Sequence, residues 1–208
     1  MTNTVRTDRD PAGGALPAGV ERLQIWDPAL RAVHWALALL VTATWLLAQF
    51  GPAKMTLHFW FGYAIIALLA FRLVWGLIGP RHARFSRLIH GPRATLEYIR
   101  GFARRVPSYW RGHNPMGGWS VVAMLALLVM QVATGLVSDP DDFINVGPLA
   151  SEVSRATSRK ALSLHHLGGT LILLLVLLHV GMILYYRLWK REDLIRPMIT
   201  GWKLVRRR

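Results

Sequence analysis

One apolar stretch, residues 164–184, is long enough to cross a bilayer and also carries histidine. His165 and His179 are fourteen residues apart, so on an α-helix they face the same way at depths roughly 21 Å apart. His166 points nearly the opposite way. Ionisable side chains inside a bilayer are costly and usually functional, so the same-facing imidazoles predict two stacked metal or haem sites. The alternative is an intramembrane histidine satisfied by a helix–helix hydrogen bond.

Composition favours a small polytopic membrane protein. The chain has 208 residues, of which 53% are hydrophobic, and its mean hydropathy is +0.32. It contains no cysteine, which excludes disulfides, thiolate zinc sites, iron–sulfur clusters and covalently attached c-type haem. Any haem must therefore be b-type, held by non-covalent contacts and axial His or Met.

The net charge of +14 is distributed unevenly along the chain. Residues 81–117 contain eight Lys and Arg against one acid, and residues 187–208 contain eight against two. Residues 138–161 contain three against four acids. Basic and non-basic hydrophilic segments alternate, as in membrane proteins that keep their basic loops inside, and this argues against a nucleic-acid role. For a protein with four spans, the pattern predicts that both termini are in the cytoplasm.

The predicted architecture is an all-α, four-transmembrane-helix bundle. Residues 1–25 lack apolar periodicity and are expected to form a flexible cytoplasmic segment. Residues 191–208 form a basic cytoplasmic tail. Between the second and third spans, the basic residues 93–105 predict an interfacial helix. The domain, residues 26–190, has predicted helices at about 28–50, 57–79, 118–137 and 161–189.

The four-span topology assigns depths to histidines on three helices. His34 and His179 fall near the cytoplasmic face, whereas His58 and His165 fall near the outer face. Each of the two depths therefore has two histidines. This arrangement predicts two non-covalent b haems, each with two axial imidazoles. An iron with two imidazole ligands has no open position, so it carries electrons and performs little other chemistry.

Further polar residues lie near these predicted levels. Arg72 follows His58 by fourteen residues, and it either pairs with a haem propionate or extends to the headgroups. Arg31 is a weaker candidate of the same kind. Three glycines lie near the predicted outer ligands, and they either admit a flat macrocycle or allow close helix packing. They are Gly62, Gly168 and Gly169.

A quinone site is predicted on the cytoplasmic side. His113 and Asn114 precede the third span and could donate hydrogen bonds to a quinone carbonyl. The alternative is an ordinary turn, since Asn-Pro is a common turn starter. His82 and His90 are interpreted as interfacial or packing residues, as is His166.

Several motifs together resemble the bacterial cytochrome b561 family, in particular the branch named for the b-type cytochrome subunit of nickel–iron hydrogenase. The resemblance covers about residues 24–204, and its motifs are WDPALRAVHW, LHFWFGYAIIALLAFRLVWGLIGPRHARF, GHNPMGGW, the H-x13-H spacing of the last span and MITGWK. It implies a four-helix, di-haem b membrane protein that exchanges electrons with quinone. The ligands that it implies by motif matching are His34, His58, His165 and His179.

Three function hypotheses follow. The first is an electron-transfer subunit between quinone and a periplasmic redox partner, either a hydrogenase or a c-type cytochrome. The second is a self-contained superoxide:quinone oxidoreductase, for which Arg155, Arg159 and Lys160 could attract the anion. The third is a histidine-based divalent metal transporter, which is weakened because the predicted spans contain no Asp or Glu. Whether the chain is an enzyme in its own right, and its oligomeric state, are left open.

Overall fold

The computed structural model describes residues 6–7, 16 and 18–207. Much of the predicted flexible segment, residues 1–5, 8–15 and 17, therefore lies outside the described residues. The described chain is mostly helical. Its helices are α1 (Pro28–Phe50), α2 (Thr56–Ile78), α3 (Pro92–Arg100), α4 (Pro115–Val137), α5 (Arg155–Leu188) and α6 (Ile195–Thr200).

Helices α1, α2, α4 and α5 are long and apolar enough to cross a membrane, which confirms the four predicted spans. Helix α1 begins where predicted, because the Asp27 carboxylate accepts a hydrogen bond from the Leu30 amide at 3.0 Å and Pro28 occupies the first position. Helix α5 begins six residues earlier than predicted. The Ser154 hydroxyl accepts from the Thr157 amide at 3.2 Å and caps this longer helix.

A small antiparallel sheet joins the two ends of the chain. Strand β1 (Arg6–Thr7) pairs with β2 (Val20–Gln24), and β2 pairs with β3 (Trp202–Arg206). The prediction of a flexible segment is therefore wrong for Val20–Gln24. Side chains alternate between more and less buried along both β2 and β3, so each strand presents one face to a core that the other end of the chain completes.

The chain divides into two compact units. The first comprises residues 1–32, 73–122 and 178–208. Its core holds buried Leu23, Ile25, Trp26, Leu30, Ala83 and Val205, with Trp75 and Met198 packed against them. The hydrophobic effect that stabilises this unit therefore depends on residues from both ends of the chain and from the connector between α2 and α4.

The second unit comprises residues 33–72 and 123–177. Its loop between α4 and α5 is fastened to the turn before α2 by Asn145. The Asn145 amide accepts from the Met55 amide and donates to the Ala53 carbonyl, both at 2.9 Å. The loop thereby holds the start of α2, one turn before His58.

Candidate ligand histidines

Two of the predicted ligand histidines face each other within the second unit. His58 lies near the start of α2 and His165 lies on α5, and their ring centres are 6.1 Å apart with the ring planes at 74°. With metal–nitrogen bonds of roughly 2 Å, two imidazoles on opposite sides of one metal ion have ring centres roughly 6 Å apart. The separation therefore fits a single metal ion between them.

In both rings, Nδ1 is hydrogen-bonded to a backbone carbonyl oxygen. His58 Nδ1 lies 3.1 Å from the Thr44 carbonyl oxygen, and His165 Nδ1 lies 2.9 Å from the Gln131 carbonyl oxygen. A carbonyl only accepts, so each Nδ1 carries the proton and donates it. Each Nε2 then keeps a lone pair, which is the tautomer that a metal ligand requires.

Helix α4 supports the back of the His165 ring. A methyl group added at Gly135 would lie 2.8 Å from His165 Cε1, so the two helices approach closely only because residue 135 has no side chain. The Gln131 side-chain amide donates to the His165 carbonyl at 3.0 Å. Gln131 thus contacts His165 through both its backbone and its side chain. Sequence reasoning had assigned no role to Gly135 or to the Gln131 carbonyl.

The glycines near His58 and His165 differ in their surroundings. A methyl group at Gly62, one turn after His58, would meet no atom within 4 Å, so this face of α2 borders open space. A methyl group at Gly168 would collide with Gln131 Oε1. Close packing against α4 therefore explains Gly168, and the alternative of helix packing holds there rather than approach of a macrocycle.

The other two predicted ligands lie on α1 and α5. The His34 ring lies edge-on to Trp35, with ring centres 5.2 Å apart. His179 is half-buried, fourteen residues after His165 on the continuous helix α5. Their pairing stays a prediction.

The two arginines proposed for propionates have different environments. Arg72 is 6% exposed, which disfavours a guanidinium that extends to the headgroups and favours one that meets an anion inside the protein. The Arg31 guanidinium donates to the Ile199 carbonyl, so part of its donor capacity is already used in joining α1 to α6.

The predicted quinone residues are adjacent in sequence but have different contacts. His113 stacks at a tilt on Trp26, with ring centres 4.7 Å apart. Asn114 caps α4, because its Oδ1 accepts from the Gly117 amide at 2.7 Å, and its Nδ2 donates to the Tyr186 hydroxyl at 2.9 Å. The turn interpretation therefore explains Asn114, and a quinone would have to replace one of these hydrogen bonds.

The remaining histidines are not part of the facing pair. His90 Nδ1 donates to the Leu88 carbonyl at 3.0 Å, and its ring packs edge-on against Trp110. Burial lowers the pKa of His82, and nearby guanidinium groups lower it further. His166 is exposed, as its predicted direction requires.

The basic residues proposed to attract superoxide, Arg155, Arg159 and Lys160, are exposed in the first turns of α5. Within the described residues, no group of three or more His, Asp or Glu side chains is arranged to hold a metal ion. A haem iron needs only two protein ligands, which is the number of imidazoles in the facing pair.

Comparisons with known proteins identify a family and several similar proteins. The model of the family described as prokaryotic cytochrome b561 matches residues 25–201. Similar curated proteins are each named probable Ni/Fe-hydrogenase B-type cytochrome subunit. The protein from Azotobacter chroococcum mcd 1 is 22% identical and that from Azotobacter vinelandii is 24% identical, each over 88% of both chains. The protein from Rhizobium leguminosarum bv. viciae is 26% identical over 73% of this chain and 69% of its own.

Proposed function

The chain belongs to the prokaryotic cytochrome b561 family, and we propose that it is a membrane di-haem b-type cytochrome that passes electrons between quinone and a periplasmic redox partner. Membership in a b-type cytochrome family implies haem b and points to membrane electron transfer. The number of haems, the quinone and the partner are the proposed parts.

The observation that carries the proposal is the facing pair His58 and His165. Both rings are oriented by a backbone carbonyl on Nδ1 and are separated by the distance that one bis-imidazole metal ion needs. When bound there, haem supplies a one-electron carrier whose iron has no open position for substrate. The protein's part is to hold the imidazoles in one tautomer, so that little rearrangement accompanies electron transfer.

A second level is assigned to His34 and His179. On the continuous helix α5, His179 lies roughly 21 Å along the axis from His165 and nearly on the same face. Arg72 is proposed to pair with a propionate at this level, because it is buried and follows His58 by fourteen residues on α2. Arg31 is the weaker candidate because the Ile199 carbonyl already accepts from it.

The proposed orientation places both termini in the cytoplasm of a bacterium, with the four spans in its inner membrane. The basic composition of residues 81–117 and 187–208 supports this orientation. The pairing of β2 with β3 supports a common side for the two ends of the chain. Helix α3 is proposed to lie in the interface, since it has exposed Leu96 and Ile99 as well as three arginine or glutamate side chains.

Quinone is proposed to bind on the cytoplasmic side, near His113. The imidazole of His113 could donate to a quinone carbonyl and stacks on Trp26. Asn114 is the secondary candidate, because its amide already caps α4. The names of the similar proteins support a hydrogenase as the periplasmic partner, and a c-type cytochrome is the alternative of the same class.

A pyridine haemochrome assay on the purified protein tests the cofactor content. The expected result is two non-covalent haems b per chain, and fewer than one would refute the proposal. Potentiometric titration then tests the pairing. His34→Ala and His179→Ala should leave the same single potential, while His58→Ala and His165→Ala should leave the other, because a ligand cannot act at a level roughly 21 Å away.

A further inference from the structure

A cavity of about 980 Å³ lies in the first unit, outside the four spans. Residues 81–113 form most of its wall, and β2, Lys190 and the end of β3 complete it. Its size matches that of small-molecule sites in proteins. The ends of α2 and α5 and the start of α4 all adjoin the segments that line it, so the cavity lies at the boundary between the spans and the aqueous phase.

The described lining is strongly basic. Seven Lys and Arg side chains line the cavity against two acids. The first acid, Glu21, is buried and accepts from the Arg111 guanidinium. The second, Glu97, pairs with Arg93 at 3.1 Å, and Arg93 is not among the lining residues. Both carboxylates are therefore already paired, and the cavity retains an excess of positive charge.

The positive charge of the cavity wall also acts on the His82 side chain. Burial lowers the pKa of this lining histidine, and the charges of Arg81, Arg87 and Arg111 lower it further. Three guanidinium groups therefore act on one point of the cavity wall. Such a concentration of like charge destabilises the empty site and is relieved when an anion binds.

The connector that forms this wall also presents apolar side chains to the outside. Ile89, Leu96 and Ile99 are each about half exposed and do not line the cavity. Apolar side chains beside a basic recess match the two halves of a phospholipid, because acyl chains take the apolar contacts and the phosphate takes the cations. A soluble phosphate ester would use only the basic half.

We propose that this cavity binds the phosphate of an anionic phospholipid headgroup. Arg81, Arg87 and Arg104 are the principal contacts, because all three line the cavity and their side chains are exposed. Arg111 contributes charge but is also used to hold Glu21 and the Arg206 carbonyl. The inference does not depend on haem number or on the periplasmic partner, although the cavity shares one lining residue, His113, with the proposed quinone site.

The test is lipid binding by the purified holoprotein in a neutral detergent, measured by native mass spectrometry with cardiolipin, phosphatidylglycerol and phosphatidylcholine. The cavity variant combines Arg81→Gln, Arg87→Gln and Arg104→Gln. The matched control combines Arg84→Gln and Arg100→Gln with Arg105→Gln, which removes the same charge from the same connector but from residues that do not line the cavity, and it leaves the Arg93 partner of Glu97 in place.

The wild-type protein is expected to bind the two anionic lipids at least tenfold more tightly than phosphatidylcholine. Each basic residue near a membrane surface is worth roughly fivefold in affinity (about 1 kcal/mol), so the cavity variant should bind roughly 100-fold more weakly. The control should change less than about fivefold. The three single cavity substitutions, each expected to weaken binding roughly fivefold, provide the same comparison if the triple variant does not fold.

Three results would overturn the proposal. Equal weakening by the cavity and control variants would mean diffuse attraction to a basic surface. Equal binding of phosphatidylcholine, which carries a phosphate but no net charge, would mean that the cavity does not select anionic headgroups. Displacement of the lipid by millimolar inorganic phosphate would assign the cavity to a soluble phosphate compound instead.

Discussion

Replacing Gly135 with alanine should disturb one haem level and leave the other intact. The added methyl carbon would lie 2.8 Å from His165 Cε1 and 3.2 Å from His165 Nδ1. Carbon atoms normally approach to about 3.5–4.0 Å, so the ring or helix α4 must move by about 0.7 Å or more. Any such movement also strains the 2.9 Å hydrogen bond from His165 Nδ1 to the Gln131 carbonyl.

The magnitude follows from two opposing effects. Overpacking of a tight contact costs about 1–3 kcal/mol, and alanine recovers up to about 1 kcal/mol through its higher helix propensity. Overall stability should therefore change little. Misplacing a ligand that an outer hydrogen bond orients typically lowers metal affinity about 10–100-fold. We expect roughly tenfold weaker binding of the haem held by His58 and His165.

The assay is transfer of haem from the purified protein to an excess of a haem-free acceptor, followed by potentiometric titration of what remains. Gly181→Ala is the matched control, because it adds the same methyl group to another membrane-spanning helix where no atom lies within 4 Å. Gly135→Ala should release one haem faster, whereas the control should behave as wild type. Identical release from the two variants, or parallel loss of both haems from Gly135→Ala, would refute the reasoning.

Three further outcomes are expected. His165→Ala should lose one haem and His166→Ala none, since His166 is exposed and points about 100° away from His165 around α5; haem content per chain measures this. Lys203→Met should lower the unfolding free energy by about 3–5 kcal/mol by leaving the buried Glu192 carboxylate without its cation, and a second substitution, Glu192→Gln, should restore much of the lost melting temperature. Asn145→Ala should speed amide hydrogen exchange about tenfold in the turn before α2, because it removes two hydrogen bonds to that turn.

The membrane-spanning part of the fold was predictable from sequence because length and apolarity suffice to define a span. The error of six residues at the start of α5 has a local cause. The segment 155–160 is basic and polar, so the apolar run begins six residues after the helix does. Ser154 caps the helix at its actual start. Hydropathy identifies the part of a helix that suits lipid, and capping residues determine where the helix itself begins.

The terminal sheet could not be predicted in the same way. Val20–Gln24 and Trp202–Arg206 are five residues each and lie almost a whole chain apart. Strands this short are stable only when paired and covered, and a single sequence does not show which distant segment pairs with which. The folded first unit, and with it the basic cavity, therefore emerged only from the structure.

Sequence spacing placed His58 and His165 at one level, but it could not identify what orients them. The anchors are the main-chain carbonyls of Thr44 and Gln131, which every residue type possesses. Gly135 is one of several small residues in α4, and only its close approach to the His165 ring distinguishes it from the others. The chemistry of a side chain can be read from the sequence. Which backbone carbonyls accept hydrogen bonds, and which atoms come into close contact, depends on how the helices pack.

The hydrogen bonds of the two rings also offset the free-energy cost of placing imidazoles within a membrane. An unpaired polar N–H in hydrocarbon costs several kcal/mol, and a helix offers few free acceptors because its carbonyls bond along the chain. The carbonyls of Thr44 and Gln131 each accept one further bond, from His58 and from His165. A single hydrogen bond thus satisfies the Nδ1 donor and leaves the Nε2 of a neutral ring without a proton. Because both rings are oriented from the main chain of neighbouring helices, the contacts of α1 with α2 and of α4 with α5 determine how the two imidazoles are held.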